Sequence, residues 1–363
     1  MAMEYNYRPG LADMPGYDVV ERDWRIKINA NECGMNLPPL VLERVISRLD
    51  RVAFNRYPNE QADMLREAIA EGYNLKKENV VLGNGSSEII EKLFVTFGGR
   101  GHKIVYPQPS FSMYKIYARA AEAEGVPVDL KPDYTLDVNK FIAAVKESEA
   151  SLAVICNPNN PTGCRLPLKE VEKIARSISC PLLMDEAYME FAEAECVGGS
   201  AVSLLKKYPH VIVARTFSKA YGLAACRMGY MLAAGDIAGM TGKTMMPYCL
   251  NVLSLTVADT VWQMRDEYRH RIIQTIAERD RLATGLKKIA GFTVYPSAAN
   301  FLLVKYDRAA ELNEYLTEIS IGVRSFGSAP RLENTLRFSI GTPAENEQWL
   351  LAVQAFAREE VWL

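Results

Sequence analysis

The sequence predicts an α/β protein whose mostly parallel sheet is covered by helices on both faces. Between about residues 63 and 235, short apolar segments alternate with stretches of helical spacing, which is typical of such a sheet. The 363-residue chain is 49% hydrophobic and 24% charged, enough for about two domains. After about residue 250 the pattern changes to longer helices and a few further strands, which favours a smaller α+β domain.

The individual elements follow from this pattern. Strands are predicted at residues 80–82, 103–106, 127–130, 152–156, 181–184, 211–214, 229–233, 292–294, 300–304 and 336–340. Helices are predicted at residues 40–51, 86–97, 110–123, 138–146, 168–177, 253–289, 309–319 and from 345 onward. We therefore divide the chain into an N-terminal arm with part of the small domain (1–40), a large domain (41–252) and a small C-terminal α+β domain (253–363).

The charge and the cysteine content exclude several classes of protein. The formal net charge of -2 provides no positively charged surface for nucleic acid or anionic membranes. No apolar stretch approaches the ~18 residues of a membrane span, and the N-terminus lacks the features of a signal peptide. The seven cysteines form no Cys-x-x-Cys pair and only three histidines occur, so we expect no disulfides, no metal site and a cytoplasmic location.

A glycine turn after the first predicted strand of the large domain is a candidate phosphate site. The segment Gly83-Asn84-Gly85-Ser86-Ser87-Glu88 follows this strand and opens a helix. Glutamate takes the third glycine position of the dinucleotide fingerprint, which weakens the alternative of a nucleotide-binding Rossmann protein. The free N–H groups of the helix N-terminus still provide a site for an anion. Taken alone, Ser86 is more simply explained as an ordinary helix cap.

Three further polar motifs follow predicted strands at their carboxyl ends, where ligands bind in parallel sheets. They are Asn157-Pro158-Asn159-Asn160-Pro161-Thr162-Gly163, Asp185-Glu186-Ala187-Tyr188, and Thr216-Phe217-Ser218-Lys219 with Arg227 downstream. Alone, each has an ordinary explanation, as a rigid turn, a helix-capping acid and a surface lysine. A lysine beside another positive charge, however, has a lowered pKa and becomes a nucleophile for carbonyl carbon.

The ordered set of motifs resembles the fold-type I pyridoxal-phosphate enzymes, specifically the class I and II aminotransferases, and most closely the histidinol-phosphate aminotransferases. The resemblance runs nearly from end to end and includes Asn29-Ala30-Asn31-Glu32, Arg56-Tyr57-Pro58 and the segment from Leu336 to Thr342. Each motif is weak, but their order along one chain is specific. It implies that the large domain, residues 41–252, binds pyridoxal 5'-phosphate.

The resemblance implies a set of cofactor-binding residues. Lys219 would bind the cofactor covalently and, once released by the substrate, move the Cα proton. Asp185 would keep the pyridine nitrogen protonated, while Asn157 and Tyr188 would hydrogen-bond the ring oxygen. The remaining residues would hold the phosphate or stack on the ring: Ser86, Ser87, Thr216, Ser218 and Arg227 for the phosphate, and Phe111 for the ring.

The resemblance also implies substrate-binding residues and a dimer. Arg337 would bind the anionic group of the substrate, and Arg324 is similar to a second phosphate-binding arginine. Tyr7 is similar to an N-terminal tyrosine that closes over the substrate, and Asn31 lies in a segment that lines it. Tyr57 would reach the cofactor phosphate of a neighbouring subunit, which implies a homodimer with shared active sites.

The implied activity is amino transfer from histidinol phosphate to 2-oxoglutarate, within histidine biosynthesis. Two related alternatives stay open: a threonine-phosphate decarboxylase, which labilises the substrate carboxylate, and an aromatic-amino-acid transaminase. A non-catalytic cofactor-binding module is a third, which the missing basic patch disfavours. Asn31-Glu32 continues as Cys33-Gly34 where the family has Asn-Pro, and this departure borders the substrate pocket.

Overall fold

The computed structural model describes residues 22–195 and 199–358, so Tyr7 lies outside the described residues. Its helices are α1 (Pro39–Leu49), α2 (Asn59–Gly72), α3 (Gly85–Phe97), α4 (Met113–Ala120), α5 (Val138–Glu147), α6 (Leu168–Ser177), α7 (Met189–Ala194), α8 (Gly235–Gly242), α9 (Val252–Gln263), α10 (Arg269–Leu286), α11 (Ala309–Glu318) and α12 (Pro343–Ala357). Its strands are β1 (Ile26–Lys27), β2 (Val80–Asn84), β3 (Lys103–Gln108), β4 (Glu124–Asp129), β5 (Leu152–Cys156), β6 (Leu182–Asp185), β7 (Val211–Thr216), β8 (Met228–Leu232), β9 (Thr293–Val294), β10 (Phe301–Lys305), β11 (Ile321–Gly322), β12 (Arg324–Ser325) and β13 (Thr335–Ser339). In this described part, no helix is long and apolar enough to cross a membrane.

Seven strands form the large sheet, in the order β2-β8-β7-β6-β5-β3-β4. Neighbours run parallel except at β8, which is antiparallel to both β2 and β7. Every residue of the adjacent strands β5 to β8 is buried, because helices cover both faces of the sheet and leave no solvent side. The predicted α/β fold with a mostly parallel sheet is therefore confirmed.

The reversed direction of β8 brings distant segments of the chain to one edge of the sheet. Both β2 and β7 end beside the start of β8, with Asn84 opposite Met228 and Thr216 opposite Gly229. A β-carbon on Gly229 would lie 2.3 Å from the backbone nitrogen of Ser86, so only glycine lets α3 begin against this strand. The start of α3, the end of β7 and the residue before β8 therefore converge.

Smaller sheets form the rest of the structure. Strands β12, β13, β10 and β9 make an antiparallel sheet, and β1 pairs in parallel with β11. Helices α10, α11 and α12 pack around a separate apolar core that includes Leu282, Leu312 and Trp349. Apart from β1, these elements lie after residue 250, where the sequence predicts a smaller α+β part.

The division into domains stays a prediction, and the packing bears on its second boundary. The stretch 253–289, predicted as one helical segment, is two α-helices that are separated by a turn at Met264 and a 3-10 helix at Arg265–Tyr268. Helix α9 contacts α1 and α2, and its residues Leu255, Val261 and Trp262 belong to the core of the large sheet. We therefore propose that α9 belongs to the large domain and that the small domain begins at α10.

A buried ionic cluster joins β7 to the segment after β6. The guanidinium of Arg215, which is 1% exposed, lies 3.0 Å from Glu186, 3.2 Å from Glu190 and 2.9 Å from Glu193. Burial raises the pKa of Glu190 to about 7 and also raises the pKa of Glu186, although the charge of Arg215 acts in the opposite direction. One guanidinium thus compensates several carboxylates in a region with little water.

Replacing Arg215 by methionine is expected to lower the free energy of unfolding by about 3–5 kcal/mol, because buried carboxylates lose their counter-charge. Since burial raises the pKa of Glu186 and Glu190, both are more fully protonated at about pH 5 than at about pH 8. The loss of unfolding free energy should therefore be smaller at about pH 5. Urea unfolding at both pH values measures it. The control is Arg100→Met, which removes an exposed pairing with Glu122. Equal losses in the two variants would contradict this account.

Candidate active site

A cavity of about 750 Å³ lies between the carboxyl edge of the large sheet and the antiparallel sheet of the smaller part. Segments that follow β2, β6 and β7 line one side, and residues of β12 and β13 line the other. The predicted site residues in its lining are Asn31, Ser86, Ser87, Phe111, Asp185, Tyr188, Thr216, Ser218, Lys219, Arg227, Arg324 and Arg337. The structure therefore brings these residues together around one space.

One side of the cavity is suited to an anion. Ser86 and Ser87 occupy the first turn of α3, where backbone N–H groups lack partners within the helix. The guanidinium of Arg227 lies directly against this turn. Thr216 Oγ1 and Ser218 Oγ, 3.0 Å apart, line the adjoining wall. Neutral donors and a positive charge therefore meet where a helix begins, which is a favourable place for a phosphate.

Asp185 ends β6 and is buried against the cavity. The hydroxyl of Tyr114 donates a hydrogen bond of 2.7 Å to Asp185 Oδ2, and the backbone N–H of Ala187 donates to Oδ1 at 3.3 Å. Burial raises the pKa of Asp185 to about 6, whereas these two hydrogen bonds lower it. A protonated nitrogen in the cavity would compensate the carboxylate charge, and the carboxylate would in turn keep that nitrogen protonated.

Lys219 follows β7 and places its amine in the cavity. Its Nζ donates to the backbone oxygen of Ala30 at 3.1 Å and lies 6.0 Å from the centroid of the Tyr188 ring. Burial, and then the positive charge of Arg337, lowers the pKa of Lys219 to about 8, while the charge of Glu32 acts in the opposite direction. Part of this amine is therefore unprotonated near neutral pH and can attack a carbonyl carbon.

Tyr188 and Asn31 are joined at the wall of the cavity. Asn31 Nδ2 donates to the Tyr188 hydroxyl at 3.0 Å, and the Asn31 backbone N–H donates to Ser339 Oγ at 2.7 Å. The Tyr188 ring packs edge-on against Phe301, with centroids 5.1 Å apart. Burial raises the pKa of Tyr188, so its hydroxyl stays protonated and can donate to an oxygen in the cavity.

The asparagine-rich turn after β5 provides a different residue from the predicted one. The Asn157 amide donates to the backbone oxygen of Leu166 at 3.0 Å and accepts from the Leu166 N–H at 2.8 Å, which closes the turn. Among the described residues, Asn160 and not Asn157 lines the cavity, and it accepts a hydrogen bond of 2.5 Å from Arg337. The contact of Asn157 with the ring stays a prediction: its Oδ1 and one of its two Nδ2 hydrogens are used within the turn.

Two aromatic residues complete the predicted cofactor set. Phe111 lines the cavity, and the ring of Tyr114 meets it edge-on with centroids 5.5 Å apart. Tyr57 is 73% exposed, and its ring stacks on that of Tyr248 with centroids 4.2 Å apart. Tyr57 is outside the described lining of the cavity in its own chain, so its predicted contact requires a second molecule.

Two arginines stand opposite each other on the antiparallel sheet. Arg324 in β12 is the register partner of Arg337 in β13, so both side chains lie on the same face of the sheet. Arg337 donates to Asn160 and, at 2.9 Å, to the backbone oxygen of Asn29, whereas Arg324 is exposed. Two guanidinium groups on one face can bind a phosphate or a carboxylate through charge-assisted hydrogen bonds.

The model of the family "Aminotransferase class I and II" matches residues 25–353 of this chain. The chain belongs to the class I and II aminotransferases. It is 39% identical to a histidinol-phosphate aminotransferase of Pyrococcus furiosus, over 94% of this chain and 96% of that protein. It is 35% identical to one of Caldanaerobacter subterraneus, over 96% of this chain and 97% of that protein.

Solved structures of an aminotransferase and of a decarboxylase share the fold. The histidinol-phosphate aminotransferase of Sinorhizobium meliloti in complex with pyridoxal-5'-phosphate has a TM-score of 0.84 and 25% identity, covering 93% of this chain and 92% of that one. The L-threonine-O-3-phosphate decarboxylase of Porphyromonas gingivalis has a TM-score of 0.79 and 22% identity, covering 92% and 99%. The second likeness shows the fold alone.

The cavity of this aminotransferase fits pyridoxal 5'-phosphate in each of its parts. The α3 N-terminus and Arg227 suit the phosphate, Asp185 suits the ring nitrogen and the amine of Lys219 suits the aldehyde. Phe111 provides an aromatic surface for the ring. Among the described residues, the buried Oδ1 of Asn31 has no hydrogen-bond partner, so an acceptor remains for a donor on a ligand.

Two residues of the site were missed in the sequence. Asn160 had a signal, because it lies in the same turn as Asn157, but the pattern does not distinguish three asparagines. Tyr114 had none, because an aromatic residue three positions after Phe111 on a predicted helix is typical of a core position.

The two asparagines of this turn are expected to respond oppositely to alanine substitution. Asn160→Ala should weaken binding of an anionic substrate roughly tenfold, because Arg337 loses an orienting hydrogen bond, with little change in the stability of the cofactor-free protein. Asn157→Ala should lower that stability by about 1–3 kcal/mol, because the backbone groups of Leu166 lose their partners. Fluorescence titration and thermal unfolding measure the two effects. Weaker cofactor binding in Asn157→Ala than in Asn160→Ala, at unchanged stability, would support the predicted contact of Asn157 with the ring.

Proposed function

We propose that this aminotransferase transfers an amino group from histidinol phosphate to 2-oxoglutarate in histidine biosynthesis, with pyridoxal 5'-phosphate as its cofactor. The observation that carries the proposal is the arginine pair, Arg324 and Arg337, on the wall that faces Lys219 across the cavity lining. The identity of 35–39% to histidinol-phosphate aminotransferases, over most of the chain, supports the choice of substrate.

The charges of the substrates fit this wall. Histidinol phosphate carries a phosphate and no carboxylate, whereas glutamate and 2-oxoglutarate carry carboxylates. Arg337, oriented by its bonds to Asn29 and Asn160, would bind the anionic group of each substrate in turn. Arg324 would add a second positive charge, which suits a phosphate dianion better than a carboxylate.

The residues around the amino group hold or move protons. The bound cofactor supplies an electron sink that stabilises the charge left when the substrate loses its Cα proton. Lys219 would take this proton, because its lowered pKa leaves part of the amine unprotonated near neutral pH. Asp185 would keep the ring nitrogen protonated, and the Tyr188 hydroxyl would donate to the ring oxygen.

Adding histidinol phosphate alone to the cofactor-loaded protein is expected to replace the visible absorbance of the lysine-bound cofactor by the ultraviolet band of its amino form. Adding 2-oxoglutarate afterwards should restore the visible band. Arg324→Gln should need roughly ten- to a hundredfold more histidinol phosphate for the same conversion, because a charge-assisted contact to the phosphate is lost. Histidinol, which has no phosphate, is the control and should react equally with both proteins.

Other measurements would identify the alternative activities. Carbon dioxide release from threonine phosphate would support the decarboxylase, and reaction with phenylalanine but not histidinol phosphate would support an aromatic transaminase. A stable visible band with no turnover of any amine would support a non-catalytic module. An absent visible band in excess cofactor would contradict the role of Lys219.

We also propose a homodimer with shared active sites. Exposed apolar side chains occupy α1, the loop to α2, the start of α2 and the segment 240–253: Leu40, Leu42, Ile46, Phe54, Tyr57, Met64, Met240, Met246, Tyr248 and Leu253. The stacked rings of Tyr57 and Tyr248 join the two parts of this surface. An apolar surface of this extent supports contact with a second copy, through which Tyr57 would reach the cofactor phosphate of the other subunit.

Mixing two variants that each impair a different part of the site tests the shared sites. Lys219→Ala and Tyr57→Ala subunits, unfolded and refolded together, should regain about a quarter of the wild-type activity, since half of the dimers are mixed and each holds one intact site. Each variant refolded alone is the control. Activity no greater than the sum of the two controls would contradict shared sites, and a single species of monomer mass in sedimentation would contradict the dimer.

A cytoplasmic location belongs to the same proposal. It is supported by the six cysteines in the described part of the chain, all of which are free thiols, as expected in a reducing compartment. Recovery of disulfide-linked protein from intact cells would contradict it.

A further inference from the structure

Tyr114 lies outside the described lining of the cavity and contacts two residues of that lining, Asp185 and Phe111. It lies in α4 and is completely buried. Its hydroxyl donates to Asp185 Oδ2 at 2.7 Å, and its ring meets the ring of Phe111 edge-on, at an interplanar angle of 86°. One side chain thus connects the carboxylate and the aromatic ring that are both proposed to contact the cofactor.

The surrounding hydrogen bonds determine the direction of the Tyr114 hydroxyl proton. The thiol of Cys156 lies beside this hydroxyl and donates to the backbone oxygen of Pro158 at 3.3 Å. Burial raises the pKa of both Tyr114 and Cys156, so each group keeps its proton. An ionised carboxylate is a stronger acceptor than a thiol sulfur, so the hydroxyl proton is directed to Asp185 Oδ2 and stabilises the carboxylate.

No other described neighbour provides Asp185 with an equivalent contact. Among the described residues, the other donor to Asp185 is the backbone N–H of Ala187, at a longer distance of 3.3 Å, and the adjacent Glu186 carboxylate disfavours ionisation. The remaining titratable groups near Asp185 are Tyr117, Cys156 and Tyr188, whose pKa values burial raises, so they are neutral. Tyr114 therefore provides the main support for a charged Asp185.

We propose that Tyr114 is a positioning residue for amino transfer, which holds Asp185 ionised and oriented toward the cofactor nitrogen and fixes the ring of Phe111 beside it. The inference rests on the function proposed above for Asp185. Tyr114 acts through these two residues and touches neither the substrate nor the reacting atoms. Without its hydroxyl, Asp185 is protonated more easily, and the nitrogen loses the charge that keeps its own proton bound.

Tyr114→Phe tests the hydroxyl while keeping the ring against Phe111. We expect the dissociation constant of pyridoxal 5'-phosphate to increase roughly ten- to a hundredfold. We also expect the visible band of the lysine-bound cofactor to titrate at higher pH, because a less protonated ring nitrogen withdraws fewer electrons from the bond to Lys219. The control is Tyr106→Phe, which removes another buried hydroxyl, from a ring 6.1 Å away, and should change neither quantity.

A double-mutant cycle separates this inference from the function on which it rests. In an Asp185→Ala background, Tyr114→Phe should have no further effect on cofactor affinity or on the titration. If Asp185→Ala alone changes neither, the proposed function of Asp185 fails. If Asp185→Ala changes both but Tyr114→Phe behaves like Tyr106→Phe, only the role of Tyr114 is overturned. Lower thermal stability of cofactor-free Tyr114→Phe, without a shifted titration, would likewise reduce Tyr114 to a packing residue.

Discussion

Strands β2, β5, β6 and β7 run in the same direction, so their carboxyl ends lie along one edge of the large sheet. Strand β8 runs in the opposite direction, and its start therefore lies at the same edge. This one geometric constraint brings together residues that are far apart in the chain, namely the start of α3, Asp185, Lys219 and Arg227. Reversal of β8 is also the reason that Gly229 lies against the first turn of α3.

Successive side chains at the ends of β6 and β7 point in opposite directions, so different polar groups lie on the two faces of the sheet. Asp185 and Thr216 face the cavity, whereas their neighbours Glu186 and Arg215 pair with each other on the other side. The ionic cluster behind the sheet thus ties β6 to β7 at the level where the site residues begin. Inside the cavity, burial raises the pKa of Asp185 and lowers that of Lys219. The charge of a bound ligand can therefore shift the protonation equilibrium of each side chain near neutral pH.

The smaller part of the molecule supplies the anion-binding wall. Arg337 bonds to Asn160 from the turn after β5 and to the backbone of Asn29 from the N-terminal segment, so three distant parts of the chain meet at one guanidinium. This arrangement places the proposed substrate wall and the proposed cofactor wall on opposite sides of the same space. A ligand that carries an anion at each end matches that separation of positive charge.

From the sequence alone, local periodicity and the residues next to strand ends predict the α/β fold, the order of the strands along the chain and the motifs that hold Ser86, Asp185, Lys219 and Arg227. The places of Asn160 in the cavity lining and of Tyr114 against Asp185 emerge only from the folded structure. Their partners lie 177 and 71 positions away along the chain. Side-chain direction in a turn or a buried helix depends on such distant contacts, which local pattern does not contain.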